Sequence, residues 1–292
     1  MSMLTGFEDV VRADVPLSEH TWMHLGGPAE FLAEPTSVEQ LGELIRRCRE
    51  EELPVRLLGG GSNVLVRDEG VKGMVIMLSA PAFESISIEK RRVVAGGGAK
   101  LGHVISNVVR SGLAGFETLV GIPGTIGGAL HSNAGGRGGD VGQWTVAATV
   151  MTHTGEVSQR TREEMSFGYR ESSLHELIVL DATFELEEDD PELLTKRMQK
   201  QWIVKKAAQP LAHQSAGCIF KNPRGMSAGM LIDQAGLKGT RIGGCVVSDR
   251  HANFIIAEEG ASSADALALI EDIRNQIEQR LGVELETEIE IW

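Results

Sequence analysis

What this chain lacks narrows its class before any motif is read. Its 292 residues hold only three cysteines, Cys48, Cys218 and Cys245, too few and too scattered for a disulfide framework. There is no C-x-x-C and no H-E-x-x-H, so no metal site is visible in the pattern. No basic run exceeds three residues, and the formal net charge of -13 argues against a nucleic-acid binder, which would show a basic stripe. No apolar stretch approaches the roughly 18 residues of a membrane span. The opening MSMLTGFEDVVRADV also lacks the apolar core of a signal peptide. These absences predict a reduced, cytoplasmic, soluble protein with no membrane insertion, long enough for two domains whose cores need no staples.

Glycine, by contrast, is concentrated. It occupies positions 121, 124, 127, 128, 135, 136, 138, 139 and 142, far above its average usage of roughly 7%. Ile122, Pro123, Ile126, Leu130 and Val141 punctuate the stretch with packing residues, so it is no linker. A second run, Leu58-Gly59-Gly60-Gly61-Ser62-Asn63, lies upstream. Bare main-chain N–H groups with no Cβ in the way make cradles for phosphate and for flat polar rings. Two separated cradles suggest a ligand with two ends, such as a dinucleotide. The plainer alternative is that both runs serve only turns and bulges. Neither run fits G-x-G-x-x-G or G-x-x-x-x-G-K-[ST], so the Rossmann and P-loop readings fail on spacing.

Along the chain, residues 1–19 carry little pattern and predict a leading arm or a short helix. Residues 30–33, 55–58, 63–66 and 74–78 read as short strands. Ser37 with Gln40 forms a capping box, and Val38, Leu41, Leu44, Ile45 and Cys48 share one face of the helix it opens. Residues 85–88 and 91–95 predict a hairpin. Leu101, Val104, Ile105, Val108 and Val109 line the next helix, with Gly112 at its stop. Alternation marks strands at 146–152, 156–158 and 178–186. The acidic cluster before Pro191 marks a domain boundary. Residues 191–207 then read as a helix with Leu194, Met198 and Trp202 along one side. Ser227 caps a short helix, and residues 245–247 and 253–256 are strands. Ser262 with Asp265 caps a long amphipathic helix stopped by Gly282. Residues 283–292 alternate strictly, predicting a final strand with Glu284, Glu286, Glu288 and Glu290 on a solvated face.

These pieces resemble the UDP-N-acetylenolpyruvoylglucosamine reductase (MurB) family over nearly the whole chain. The resemblance rests on ordered motifs: Thr21 with Leu25-Gly26-Gly27-Pro28-Ala29, Gly59 to Asn63, Gly121-Ile122-Pro123-Gly124-Thr125-Ile126-Gly127-Gly128, and Phe167-Gly168-Tyr169-Arg170. After these come Ser215-Ala216-Gly217, Phe220-Lys221-Asn222-Pro223, the run from Leu231 to Gly239, and Leu285-Glu286-Thr287-Glu288. Any one would be weak, but their order and spacing make the match specific. The shorter chain resembles the family's second type.

The resemblance implies an α+β fold. An N-terminal arm over 1–19 precedes a two-subdomain FAD-binding domain of the vanillyl-alcohol-oxidase (PCMH) type over 20–188, divided at about residue 80. A substrate-binding domain over 189–292 follows, its last strand returning to the active site. Non-covalent FAD, with NADPH as hydride donor, is implied to reduce UDP-N-acetylglucosamine enolpyruvate to UDP-N-acetylmuramate, in a monomer. The implied FAD contacts are Leu58, Gly59, Gly60, Gly61, Ser62, Asn63 and Leu65, then Gly121, Ile122, Pro123, Gly124, Ile126, Gly127 and Gly128, and finally Asn133, Ala134 and Gly135. The implied substrate contacts are Tyr169, Lys206, Asn222, His251 and Asn253. Lys206, at a predicted helix end, equally suits the negative end of the helix dipole.

Three residues carry the implied chemistry. Negative charge developing on the substrate carboxylate calls for a fixed cation, and the planar fork of Arg170 grips a carboxylate in a way lysine cannot match. Glu288 stands where the family has its third catalytic residue. Cys218 takes the place of the serine that is the family's usual proton donor. A thiol is the stronger acid, although once ionised it has no proton to give. The alternatives are an FAD oxidase of the same fold acting on another substrate, and a UDP-sugar-binding protein inactivated by the Cys218 change.

Overall fold

The computed structural model describes residues 5–136, 138–175 and 177–292. By its internal contacts the chain forms two compact units. Met1–Ala13, Phe31–Gly60 and Lys72–Ile203 make the first; Asp14–Glu30, Gly61–Val71 and Val204–Trp292 make the second. Both mix helices with small sheets, as the predicted α+β class requires.

The first unit has two buried clusters. Helix α1, Val38–Glu50, turns Leu41, Leu44, Ile45 and Cys48 inward against Met74, Ile76 and Phe83. Its cap departs from the predicted box in one respect. Ser37 accepts from the Gln40 amide at 3.2 Å, but the Gln40 side chain accepts from Thr36 N at 2.8 Å. The other cluster lies between α2, Leu101–Arg110, and a five-stranded antiparallel sheet. That sheet runs Val157–Thr161, Thr145–Met151, Ile178–Glu185, Arg92–Gly96 and Ile86–Glu89, in that order. The hairpin predicted over 85–95 is one of its pairs, and the strands expected at 146–152 and 156–158 make another.

A four-stranded sheet takes Val11–Pro16, Pro28–Ala33, Val71–Ile76 and Val55–Leu57 in that order. Residues 11–16, for which an arm or short helix was expected, are therefore a strand. The burial of Val11 and Val15 on one face makes that strand amphipathic. Helix α3, Ile126–His131, is capped by Thr125, and α4 spans Pro191–Ala208. Along α4 only the start of the expected apolar stripe packs. Leu194 is buried and Met198 lies against the core, but Trp202 stays 41% exposed.

In the second unit, α5, Ala228–Gln234, and α6, Ser263–Leu281, pack on a small sheet of Arg241–Ile242, Cys245–Val247 and Ile255–Ala257. The α6 capping box is complete, and Gly282 ends the helix at φ 66°. Met23, Leu25 and Leu65 belong to this core together with Ile219, Phe220, Leu285 and Ile289. The Leu25-Gly26-Gly27-Pro28 motif shows why glycine is needed there. A Cβ at Gly27 would overlap the carbonyl oxygen of Asp68.

The predicted ten-residue final strand is a correction. Only Glu290–Ile291 is a strand, parallel to Val64–Leu65, while Thr287 makes an isolated bridge to Phe220. The segment changes neighbours along its length. Lys221 N donates to Glu286 O and Glu288 N to Ile219 O, but Glu290 N donates to Asn63 O and Trp292 N to Leu65 O. No single partner supports a long ladder.

Candidate active site

In the first unit, Arg170 is the second residue of a two-residue turn joining Phe167–Gly168 to Glu171–Ser172. Its φ of 59° lies in the left-handed region, where an arginine is unusual and costs about 1 kcal/mol or more. The half-buried guanidinium donates from Nη1 to Gly135 O at 3.1 Å and sits 5.3 Å from the Tyr169 ring centroid. Tyr169 itself is exposed. Asn133, buried and at φ 42°, ties this hairpin down. Its Nδ2 donates to Gly168 O at 2.7 Å, and its Oδ1 accepts from Gly142 N at 3.0 Å.

Within the same unit, the Leu58–Gly60 part of the first glycine run meets the second run. A Cβ on Gly60 would lie 2.7 Å from Gly124 Cα, and one on Gly59 would lie 2.8 Å from Thr125 Oγ1. The half-buried main-chain N–H groups of Gly59, Gly60 and Gly124 donate to no acceptor among the described residues, which suits them to phosphate oxygens. The apolar members of the predicted cofactor set are differently placed. Leu58 and Ile126 are buried, so only their main chain can meet a ligand. Ile122 packs on the core, and Pro123, Gly121 and Gly127 are half-buried. Gly128 N donates to the Thr125 cap, Ala134 O accepts from Val141 N, and Gly135 O accepts from Arg170. Thr125 was not among the predicted site residues; its place just before Ile126-Gly127-Gly128 is the signal that could have found it.

In the second unit, Cys218 and Glu288 stand on adjacent extended segments. Glu288 N donates to Ile219 O at 2.7 Å, one residue beyond Cys218. Asn63 Nδ2 donates to Glu288 O at 3.1 Å, binding the serine–asparagine end of the first glycine run to the same segment. Glu284, Glu286 and Glu290 are exposed, whereas Glu288 is half-buried. Its alternation alone had put it with the others. Cys218 is half-buried, and the three cysteines form no disulfide. Ser62 is half-buried and Leu65 belongs to the core, while Gly61, at φ 64°, accepts from Trp22 N through its carbonyl at 2.9 Å.

Among the expected substrate residues, Lys206 and Asn222 are exposed, and Asn222 Oδ1 accepts from Ala228 N at 3.0 Å, at the start of α5. His251 is half-buried. Its burial, with the Lys238 charge as the lesser cause, holds the imidazole below its ordinary pKa, and its Nδ1 accepts from Asn253 N at 3.3 Å. Asn253 is buried, with its side-chain amide engaged by the main chain of Phe220. Among the described residues, no helix is long and apolar enough to cross a membrane, and no cluster of three His, Cys, Asp or Glu side chains could hold a metal.

Comparison with known proteins covers both units. Residues 29–160 match a family described as FAD binding domain, and residues 209–292 match one described as UDP-N-acetylenolpyruvoylglucosamine reductase, C-terminal domain. The chain is 41% identical over 283 residues to the UDP-N-acetylenolpyruvoylglucosamine reductase of Rhodopirellula baltica, covering 97% of this chain and 93% of that one. It is 41% identical over 284 residues to UDP-N-acetylenolpyruvoylglucosamine reductase 2 of Symbiobacterium thermophilum, covering 97% and 92%. Among solved structures, the MurB reductase of Thermus caldophilus superposes with a TM-score of 0.83 at 38% identity, covering 97% of this chain and 99% of that one.

Proposed function

Because the chain belongs to the UDP-N-acetylenolpyruvoylglucosamine reductase family, we propose that it reduces UDP-N-acetylglucosamine enolpyruvate to UDP-N-acetylmuramate with NADPH as the hydride source. It is an FAD-containing oxidoreductase. The cradle at Gly59, Gly60 and Gly124 fits such a group, because half-buried main-chain N–H groups with no acceptor among the described residues lie together where two loops meet with no room for a Cβ on Gly59 or Gly60. When bound, FAD supplies the hydride that reaches the enolpyruvyl methylene carbon.

The remaining work falls to side chains. Arg170 meets the negative charge that develops on the substrate carboxylate, where a preorganised cation counts most. Glu288 helps to hold the enol form, and the Cys218 thiol gives its proton to the carbon beside the carboxylate. Lys206 and Asn222 contact the diphosphate and the nucleotide sugar, and Tyr169 borders the sugar. The division into a flavin domain over 20–188 and a substrate domain over 189–292 is part of the same proposal. The observation that carries it is the 2.7 Å bond from Glu288 N to Ile219 O, which sets the candidate acid and its neighbouring carboxylate on paired segments.

The test is anaerobic. The flavin is reduced with stoichiometric NADPH, the enolpyruvyl substrate is added, and the flavin absorbance is followed. Rapid recovery of the oxidised spectrum with UDP-N-acetylmuramate formed is expected. Bleaching without recovery would refute the proposal.

Flavin retention is a separate expected outcome. Gly60→Ala weakens FAD binding by about tenfold or more, because Gly124 is backbone and the two loops must part to admit the methyl group. Gly102→Ala, on α2 with nothing within 4 Å of its Cβ, leaves FAD binding unchanged. Titration of the apoprotein with FAD, followed by fluorescence, checks both.

A further inference from the structure

We infer that Asn253 is a positioning residue for Cys218, holding the proton donor in register with Glu288 rather than contacting substrate. Its primary amide grips both main-chain groups of one residue. Asn253 Oδ1 accepts from Phe220 N at 3.0 Å, and Asn253 Nδ2 donates to Phe220 O at 2.8 Å. The Asn253 carbonyl also accepts from Ile219 N at 2.9 Å. Asn253, Ile219 and Phe220 are 3%, 1% and 1% exposed, so none of these bonds can be replaced by water without opening the core.

The opposite side of the same short segment faces the last part of the chain. Ile219 O accepts from Glu288 N, and Lys221 N donates to Glu286 O at 2.8 Å. In extended chain, successive residues turn their hydrogen-bonding groups to opposite sides. The Ile219 carbonyl and the Lys221 N–H reach residues 286–288, while the Ile219 N–H and both main-chain groups of Phe220 turn to Asn253. On that side the Asn253 side-chain amide, offering an N–H and an oxygen together, does for Phe220 what a neighbouring strand would do.

Cys218 directly precedes this clamped segment. On its other side Gly217 is left-handed at φ 75°, and Ser215 and Ala216 are buried. The peptides that follow the thiol are held between Asn253 and the Glu288 segment, which fixes its C-terminal side. A displacement on the order of 1 Å at a reacting group lowers a rate by about 10²-fold.

The inference rests on Cys218 as the proton donor, and the experiment separates failure of that reading from failure of this one. Asn253→Ala and Asn253→Asp are purified with FAD. Asp keeps the acceptor for Phe220 N but replaces the donor to Phe220 O with a second acceptor. Two quantities are read: the rate at which substrate reoxidises the NADPH-reduced enzyme, and the alkylation rate of Cys218 by iodoacetamide, followed by mass spectrometry. Cys48 and Cys245 are buried, which pushes their thiols up to about 11 and about 12, and the mass of the Cys218 peptide reports that site separately from them.

Expected is a 10–100-fold slower reoxidation, at least tenfold beyond any change in flavin reduction by NADPH, with Cys218 alkylation altered threefold or more. A folded variant with both quantities within twofold of the parent overturns the proposal. So does an equal loss in both half-reactions, or failure of both variants to fold, since either would make the clamp structural only. Normal reoxidation in Cys218→Ala would refute the proton-donor reading, and the positioning role would fall with it.

Discussion

Arg170→Ala slows reoxidation of the reduced enzyme by its substrate about 10²–10³-fold, the cost of removing one preorganised donor from a developing oxyanion. Arg170→Gly does the same, yet is more stable than Arg170→Ala by about 1 kcal/mol. The two variants lose the same side chain, with its bond to Gly135 O and its place beside Tyr169. They differ only in a Cβ held at φ 59°. Glycine accepts that backbone freely, whereas alanine keeps the strain. A residue that the turn disfavours is held there by what its side chain does. Stopped-flow reoxidation and urea unfolding check the two halves. An Ala variant within tenfold of the parent rate, or a Gly variant less stable than the Ala variant, would sink the argument. Arg170→Lys keeps the charge but loses the planar fork, so it is expected to recover little of the rate.

Cys218→Ala still accepts electrons from NADPH but reoxidises about 10²-fold more slowly or worse, because a positioned acid is worth that much. Cys218→Ser keeps substantial activity, since a hydroxyl can be placed where the thiol was. Measuring reoxidation at one pH in all three proteins decides the matter. A parent rate that matches Cys218→Ala removes the proton-donor role. A Cys218→Ser rate far above the parent's would instead mark the cysteine as an inactivating change.

What could be read without coordinates was what local chemistry dictates. The Ser37, Ser227 and Ser262 caps, the apolar face of α1 and the Gly282 stop are decided within a few residues, and each stands where it was expected. The ordered motifs likewise carried the family. Three matters lay beyond reach. Residues 14–30 and 61–71 join the C-terminal residues through contacts that no local period announces, such as Asn63 to Glu288 and Asp68 to the start of α6. Glu288 alternates with three other glutamates, and only its half-burial, with Ile219 and Asn63 bonded to its main chain, sets it apart from them. That the side chains of Asn133 and Asn253 bind the main chain of Gly168, Gly142 and Phe220 was not legible either, because an amide offers the same donor and acceptor to a ligand as to a peptide. Sequence determined which groups were present and which short stretches would coil or extend. Tertiary structure decided which main chain each amide faces, because hydrogen bonds between residues far apart in the chain are chosen by packing, not by neighbours.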